Sequence, residues 1–136
     1  MSGREAAFWE RERFLSDLAQ PCPPVIDLTG PPRFVAFGPY VTLAPGCWRA
    51  KVVLELCPEA ARRRLAAQFG AEPDYATVAL PAGVPGHHAI VIDHTFAAGD
   101  LAQARLWLQG AAFHGKVRFL GVEISPLPES LEGPCR

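Results

Sequence analysis

The amino-acid sequence predicts an all-β protein: an antiparallel, jelly-roll-like β-sandwich of about seven or eight strands, preceded by an N-terminal amphipathic helix. Apolar residues recur at every second position between Trp48 and Leu56, which is the period of a strand with one buried face. Further segments rich in β-branched and aromatic residues follow at regular intervals, separated by Gly and Pro. The helical stretches between them are too short for the crossovers of a parallel sheet, so we expect antiparallel pairing.

The length and charge of the chain restrict its class. A chain of 136 residues can bury roughly two thirds of its unfolded surface in a single domain. Thirteen Lys and Arg residues against fourteen Asp and Glu residues leave a net charge of −1, without the basic excess of a nucleic-acid binder. The sequence also contains no apolar run of about 20 residues and no signal-peptide pattern. We therefore expect a cytoplasmic domain that binds neither nucleic acid nor a membrane.

The four cysteines show no metal-binding pattern. Cys22, Cys47, Cys57 and Cys135 form no CxxC pair and have no histidine at zinc-finger spacing. In a reducing compartment such residues remain thiols. The sequence therefore predicts neither a disulfide nor a metal or other cofactor.

The N-terminal segment has a helical pattern. Ala7, Arg11, Phe14 and Leu18 share one stripe at helical spacing, and the prolines that begin at Pro21 end it. Such a helix would cover the end of its own sandwich or dock on another protein or a second copy of the chain. The predicted organisation is a helix at 1–20, a Pro-rich linker at 21–33, a β-sandwich domain at 34–127 and a C-terminal tail at 128–136.

The segment from 40 to 56 predicts a β-hairpin. Residues 40–43 are β-rich, and residues 44–47 place Pro45 and Gly46 at the second and third positions of a type II turn. The strand that follows should bury its even-numbered side chains, which are Trp48, Ala50, Val52, Leu54 and Leu56.

Two later segments need more than simple alternation. Residues 58–69 have good helix propensity but also alternate, so a continuous helix competes with a helical turn at 58–62 that runs into a strand, which we favour. In the last strand, Val117 and Phe119 are odd-numbered, whereas Val122 and Ile124 are even-numbered. A β-bulge at residues 120–121 would let both pairs face the core.

The string "HHAIVIDH" is the most enzyme-like part of the chain, with His87, His88, Asp93 and His94. On a strand, His88 and His94 would lie on one face about 20 Å apart, too far to hold one ion together. Hydrogen-bonded strand-end histidines are the simpler interpretation, and a small metal-dependent enzyme that uses His87, His88 or His94 is the alternative. The chain offers no nucleophile in a catalytic context, so no catalytic residue is predicted.

Trp107 suggests a binding surface. If Leu106 and Leu108 point inward, then Arg105, Trp107 and Gln109 share the opposite face. An indole between an arginine and a glutamine can stack on the apolar face of a sugar while its neighbours bind hydroxyl groups. The alternative is that the terminal helix or a loop covers this face.

Four strings, "LAPGCWRAKVVLEL", "GHHAIVIDHTF", "ARLWLQG" and "KVRFLGVEI", resemble in order and spacing the jelly-roll domains of carbohydrate-binding modules. Those domains often have an early "LPAGxYxxxxxL" hairpin and a last strand "GxxxFxGVxI". Small sandwich domains that accompany bacterial glycosyltransferases and polysaccharide-assembly proteins are similar. The resemblance covers residues 35–126 and implies a β-sandwich fold; its motifs mark the early hairpin and the closing strand of such a sandwich.

The resulting hypothesis is a non-catalytic module that binds a glycan or a glycan-like ligand. Its predicted ligand-binding residues are Trp107, Arg105, Gln109, His88 and His94. The alternative from another class is an interaction or assembly module, whose N-terminal helix docks on a partner or forms a homodimer.

Overall fold

A computed structural model describes residues 5–128 as two antiparallel β-sheets packed face to face. The all-β sandwich is therefore confirmed, while its jelly-roll character stays a prediction. The described strands are β1 (Ala7–Glu10), β2 (Val25–Asp27), β3 (Arg33–Thr42), β4 (Gly46–Leu56), β5 (Leu65–Ala71), β6 (Asp74–Ala79), β7 (Gly86–Phe96), β8 (Leu101–Leu108) and β9 (Lys116–Pro126), with a 3₁₀ turn at Arg11–Arg13 and a helical turn, α1, at Pro58–Ala61.

The two sheets differ in size and order. The five-stranded sheet has the order β1-β9-β4-β7, and β2 also pairs with β9. The four-stranded sheet has the order β3-β8-β5-β6. Neighbouring strands pair antiparallel in both sheets, so side chains alternate between the shared core and an outer face.

The core lies between the sheets and confirms the alternation predicted for β4. Aromatic rings fill much of it: the Phe14 and Phe119 ring centres are 4.8 Å apart, and those of Phe69 and Phe96 are 5.2 Å apart, both edge to face. The buried side chains of β4 are the predicted ones, Trp48, Ala50, Val52, Leu54 and Leu56.

The predicted bulge in β9 is also present. Val53 pairs with Gly121 and Leu54 pairs with Phe119, so Leu120 is skipped. The two pairs of opposite parity all reach the core as a result. These residues are Val117, Phe119, Val122 and Ile124.

The predicted helical turn followed by a strand is confirmed at residues 58–71. Pro58 begins α1, and the Cys57 sulfur caps it by accepting a hydrogen bond from the Ala60 N–H at 3.4 Å. The strand β5 starts at Leu65 and is buried on both faces. Burial on both faces means that side chains also cover the outer face of the four-stranded sheet.

The N-terminal amphipathic helix predicted at 1–20 is wrong over the described residues. Residues 7–10 form β1, which pairs with β9, and a 3₁₀ turn follows. Trp9 is buried between exposed Phe8 and exposed Glu10, which is strand alternation rather than a helical stripe. Pairing with the edge of β9 satisfies the backbone N–H and C=O groups of this segment. The free energy gained from this pairing outweighs the local helix propensity.

The segment before the predicted sandwich domain contributes a strand to the sandwich. Residues 21–33, predicted as a linker, contain β2, which pairs with β9 through Ile26 and Val117. The predicted tail at 128–136 lies outside the described residues, except for Pro128.

The predicted hairpin over residues 40–56 is wrong in its pairing. The strand β3 pairs with β8, whereas β4 pairs with β7 and β9, so the turn carries the chain from one sheet to the other. The indole N–H of Trp48 donates to the Ala44 carbonyl at 2.8 Å and stabilises the turn between β3 and β4. Alternation specifies which face of a strand is buried but not which strand lies beside it.

The expectation of unpaired thiols is also corrected. Cys47 is disulfide-bonded, whereas Cys22 and Cys57 are free. Disulfides persist mainly in oxidising compartments, so the predicted cytoplasmic location loses the support that it drew from the cysteines. No helix within residues 5–128 is long and apolar enough to cross a membrane.

Candidate functional site on the outer face of the four-stranded sheet

The outer face of the four-stranded sheet collects polar and aromatic side chains from different parts of the chain. On β8, Leu106 and Leu108 are buried in the core, so Arg105 and Trp107 point to the outer face. The register places Phe34 beside Trp107 and both Phe37 and Gln68 beside Arg105. Residues far apart in sequence therefore meet on one surface.

A stacked row of side chains crosses this face. The guanidinium carbon of Arg105 lies 4.1 Å from the centre of the Phe34 ring and 3.7 Å from the centre of the Tyr75 ring. Phe34 in turn packs against Trp107, with ring centres 5.8 Å apart. Arg105 is thus held between two aromatic rings by cation–π attraction, which restricts its motion.

Hydrogen bonds also fix the position of the same arginine on the outer face. Arg105 Nε and Nη2 donate to Gln68 Oε1 at 2.9 and 2.6 Å, and Nη1 donates to Glu72 at 3.4 Å. The Gln68 side-chain amide donates to Thr77 Oγ1 at 3.0 Å. Both ends of the buried Gln68 side chain are therefore satisfied.

Tyr75 closes the network from the edge strand β6. Its hydroxyl accepts a hydrogen bond from Gln103 Nε2. Burial raises the pKa of Tyr75 above its ordinary value of 10.0, although Arg105 opposes the shift. The phenol therefore remains neutral at physiological pH and can act as donor and acceptor.

A hollow lies beside this row. It has a volume of about 380 Å³, and its walls include Phe34, Phe37, Tyr40, Glu72 and Arg105. A hollow of about 290 Å³ adjoins it. Three residues line both, namely Tyr40, Glu72 and Gln103. The two hollows together, which we call the groove, are an extended depression with one aromatic wall.

Tyr40 projects into the groove from an unusual backbone conformation. Its φ is +65°, and it occupies an irregularity in β3 between Pro39, which pairs with Gln103, and Val41, which pairs with Ala102. A left-handed conformation costs a bulky residue on the order of 1–3 kcal/mol. The side chain displayed at this cost is an aromatic ring that is 46% exposed.

The structure brings together only part of the predicted ligand-binding set. Arg105 and Trp107 lie on the outer face, and Gln109 directly follows β8, where its backbone N–H donates to Arg64 O at 2.8 Å. His88 and His94 lie on β7, at the edge of the five-stranded sheet. They therefore cannot contribute to the same surface as Trp107.

The two histidines are engaged in local contacts. His88 Nε2 lies 2.6 Å from the Val84 carbonyl oxygen, and the His94 ring packs edge to face on Phe96 with centres 4.8 Å apart. Within residues 5–128, no three His, Cys, Asp or Glu side chains are grouped closely enough to hold a metal ion.

Among residues 5–128, no helix lies over the outer face, although Asp17 and Glu72, which lie outside the strands, line the hollow on it. Sequence reasoning identified Arg105 and Trp107 from the alternation of β8. It missed four residues that come from other strands and a turn, Phe34, Tyr40, Glu72 and Tyr75, which only pairing partners could have revealed. It also missed Gln103, which lies on β8 two residues before Arg105 and shares its face by alternation.

No protein family model and no curated protein sequence matches this chain. Among solved structures, it is similar to a carbohydrate-binding module from Cellvibrio mixtus lichenase 5A in complex with cellotriose, with 13% identity, 94% of this chain and 100% of that chain covered, and a TM-score of 0.49. It is also similar to a family 16 carbohydrate-binding module, with 13% identity, coverage of 71% and 73%, and a TM-score of 0.44. Dimeric latent PorU from Porphyromonas gingivalis matches at 12% identity over 88% of this chain and 12% of that one, with a TM-score of 0.44. Two of these three structures are carbohydrate-binding modules, the group that the sequence resembles.

Proposed function

We propose that this protein is a non-catalytic binding module whose groove takes a glycan. The observation that carries the proposal is the groove itself, where the exposed ring of Tyr40 lies beside the hydrogen-bonding side chains of Glu72 and Gln103. A sugar presents an apolar face of C–H groups and a rim of hydroxyl groups. Aromatic rings next to polar side chains match both parts of such a ligand.

The rigidity of the surrounding side chains supports the same proposal. Arg105 is fixed by two aromatic rings and by hydrogen bonds to Gln68 and Glu72. A surface that is already ordered loses little side-chain entropy when a ligand binds. This matters for glycans because each sugar unit contributes few contacts.

The predicted ligand-binding residues divide into two groups under this proposal. Trp107 extends the aromatic surface beyond Phe34, and Gln109 adds an amide near its end. Arg105 fixes the positions of the side chains that it contacts beside the groove, Phe34, Tyr75 and Gln68. His88 and His94 lie on the other sheet and are not part of the groove.

The alternative of an assembly module has lost its structural basis. It depended on a terminal helix with an apolar face to dock on a partner. Residues 7–10 form a strand of the sandwich instead, and the Trp9 side chain is buried in the core.

A calorimetric and thermal-shift screen against soluble oligosaccharides tests the proposal. A ligand at a hundred times its Kd stabilises the folded state by about 2.7 kcal/mol. We expect Tyr40→Ala to weaken binding about tenfold or more, which corresponds to about 1.4 kcal/mol or more, and Trp107→Ala to weaken it less. Phe113→Ala is the matched control because Phe113 is 88% exposed but does not line the groove. Absence of any saccharide binding, or binding that neither Tyr40→Ala nor Trp107→Ala changes, would overturn the proposal.

A further inference from the structure

We infer that the groove selects neutral, hydroxyl-rich sugars and discriminates against acidic ones such as uronates. This inference rests on the proposed function and concerns the same site. Its basis is the hydrogen bonding of the two arginines in the walls of the groove, Arg33 and Arg105. An acidic sugar needs a cation with N–H groups available to it.

Arg33 is committed to protein acceptors. Its Nε donates to the Asp17 carboxylate, and its Nη1 donates to the carbonyls of Leu28 at 3.3 Å and Pro31 at 2.9 Å. Nη2 donates to the Asp27 carbonyl at 3.3 Å. The guanidinium therefore ties the start of β3 to the preceding loop, and its charge is balanced by Asp17.

Arg105 is committed in the same way. Its Nε and Nη2 donate to Gln68, its Nη1 donates to Glu72, and the rings of Phe34 and Tyr75 cover the guanidinium group. The Arg105 side chain is only 15% exposed, so little of this guanidinium is open to a carboxylate or sulfate group of a ligand.

The remaining polar capacity of the groove consists largely of acceptors. The Glu72 side chain is 69% exposed, and its carboxylate has more lone pairs than its contacts with Arg105 and Tyr75 use. Gln103 is only 2% exposed, and its Oε1 atom has no hydrogen-bond donor among residues 5–128. Its other amide atom is already used by Tyr75. A buried carbonyl oxygen without a donor gains free energy from any hydroxyl group that reaches it.

These groups suit a ligand that donates hydrogen bonds. Sugar hydroxyls can donate to the Glu72 carboxylate and, after a small side-chain movement, to Gln103 Oε1. A uronate would instead bring its negative charge towards Glu72 and Asp17, whose nearest cations are already paired. This repulsion is effective within a Debye length, about 10 Å at an ionic strength of about 0.1 M.

Trigalacturonate and its fully methyl-esterified form are the probes for the test, because they share a backbone and differ in charge. We expect the neutral ester to bind about tenfold more tightly than the acid at an ionic strength of about 0.1 M. Glu72→Gln should reduce this ratio by removing the repulsion. Glu123→Gln should leave the ratio unchanged, because Glu123 is an exposed carboxylate that pairs with Lys51 on the five-stranded sheet.

The outcomes separate the inference from the function on which it rests. Binding of trigalacturonate as tight as that of its ester, or tighter, and sensitive to Tyr40→Ala, would overturn the neutral preference and leave the glycan-binding function standing. A ratio that Glu72→Gln and Glu123→Gln change equally would also overturn it. If no oligosaccharide in the wider screen binds, both proposals fail.

Discussion

The guanidinium group of Arg105 lies against the face of the Tyr75 ring, with its carbon 3.7 Å from the ring centre. The two residues come from β8 and β6, which are separated in the sheet by β5. Gly70 on β5 pairs with Tyr75, and the Tyr75 ring lies so close over it that a Cβ at position 70 would be 3.2 Å from a ring carbon. The contact between Arg105 and Tyr75 joins the centre of the four-stranded sheet to its edge.

Replacing Arg105 should destabilise the fold even without a ligand. Arg105→Met keeps much of the apolar stem but removes both donors to Gln68 Oε1, which lies in a buried side chain. An unsatisfied buried acceptor costs about 1–3 kcal/mol, and we expect a loss of that size in urea unfolding. Arg105→Lys should not restore the loss, since an ammonium group cannot reproduce the two-pronged contact.

Arg118→Met is the control for this prediction. Arg118 pairs with Glu55 on the outer face of the five-stranded sheet, and its side chain is more than half exposed. Exposed ion pairs contribute about 0–1 kcal/mol. Equal losses for the two variants would contradict the structural role assigned to Arg105.

Gly70→Ala should displace Tyr75. A Cβ atom at position 70 would lie 2.8 Å from the Tyr75 Cα and also too close to the Asp74 carbonyl oxygen. Overpacking of this kind costs about 1–3 kcal/mol, measured by thermal or urea unfolding. Gly110→Ala is the matched control because its new methyl group would meet only the Arg64 side chain, at 3.5 Å. If Gly70→Ala is as stable as Gly110→Ala, then the described packing of β5 against β6 is wrong.

Cys57 should stabilise the fold as a helix cap. Its sulfur accepts hydrogen bonds from the Ala60 N–H at 3.4 Å and the Lys116 N–H at 3.1 Å, which joins α1 to the start of β9. We expect Cys57→Ala to lower the free energy of unfolding by about 0.5–2 kcal/mol and Cys57→Ser to retain most of it, because a hydroxyl group is a better cap. A serine variant as unstable as the alanine variant would show that packing, not capping, is the contribution.

Stability should also depend on the Cys22 thiol at high pH. Burial raises the pKa of Cys22 from 9.0 to about 11, against the opposing influence of Arg11. In the unfolded chain the thiol loses its proton at a lower pH, so the unfolded state binds fewer protons between these two values. The free energy of unfolding should therefore fall as the pH rises from 9.0 to about 11.

Urea unfolding of the protein and of Cys22→Ala at about pH 8 and about pH 10.5 tests this dependence. The variant should lose less stability over this interval, because it lacks the thiol while other titrating groups are unchanged. Equal losses in the two proteins would mean that Cys22 is not shielded in the folded state.

Local patterns predicted the elements whose evidence lies within a few neighbouring residues. The burial of alternate side chains in β4, the bulge at Gly121 and the helical turn at Pro58–Ala61 are of this kind. Each of the three follows from the odd or even numbering of the apolar residues or from a residue that begins a helix. None of these signals depends on which strand lies alongside.

The errors arose where a distant partner outweighed a local preference. Residues near the N-terminus have a helical stripe, yet the edge of β9 offered backbone hydrogen bonds to a strand at Ala7–Glu10. The turn residues at 44–47 favour a hairpin, yet β3 and β4 pair with strands of different sheets. His88 and His94 lie together on β7, whereas Trp107 lies on β8 in the other sheet, and strand order alone separates them.

The β-sandwich and the outward orientation of Arg105 and Trp107 could both be predicted from the amino-acid sequence, because strand period and apolar content depend on the chain alone. The side chains that surround Arg105 and Trp107 depend instead on how the strands assemble into sheets. Tyr40, Glu72 and Gln103 line one groove because β3, β8 and the turn between β5 and β6 are brought together in a particular order and register. That order reflects competition between strands for backbone partners across the whole chain, and no local pattern records it.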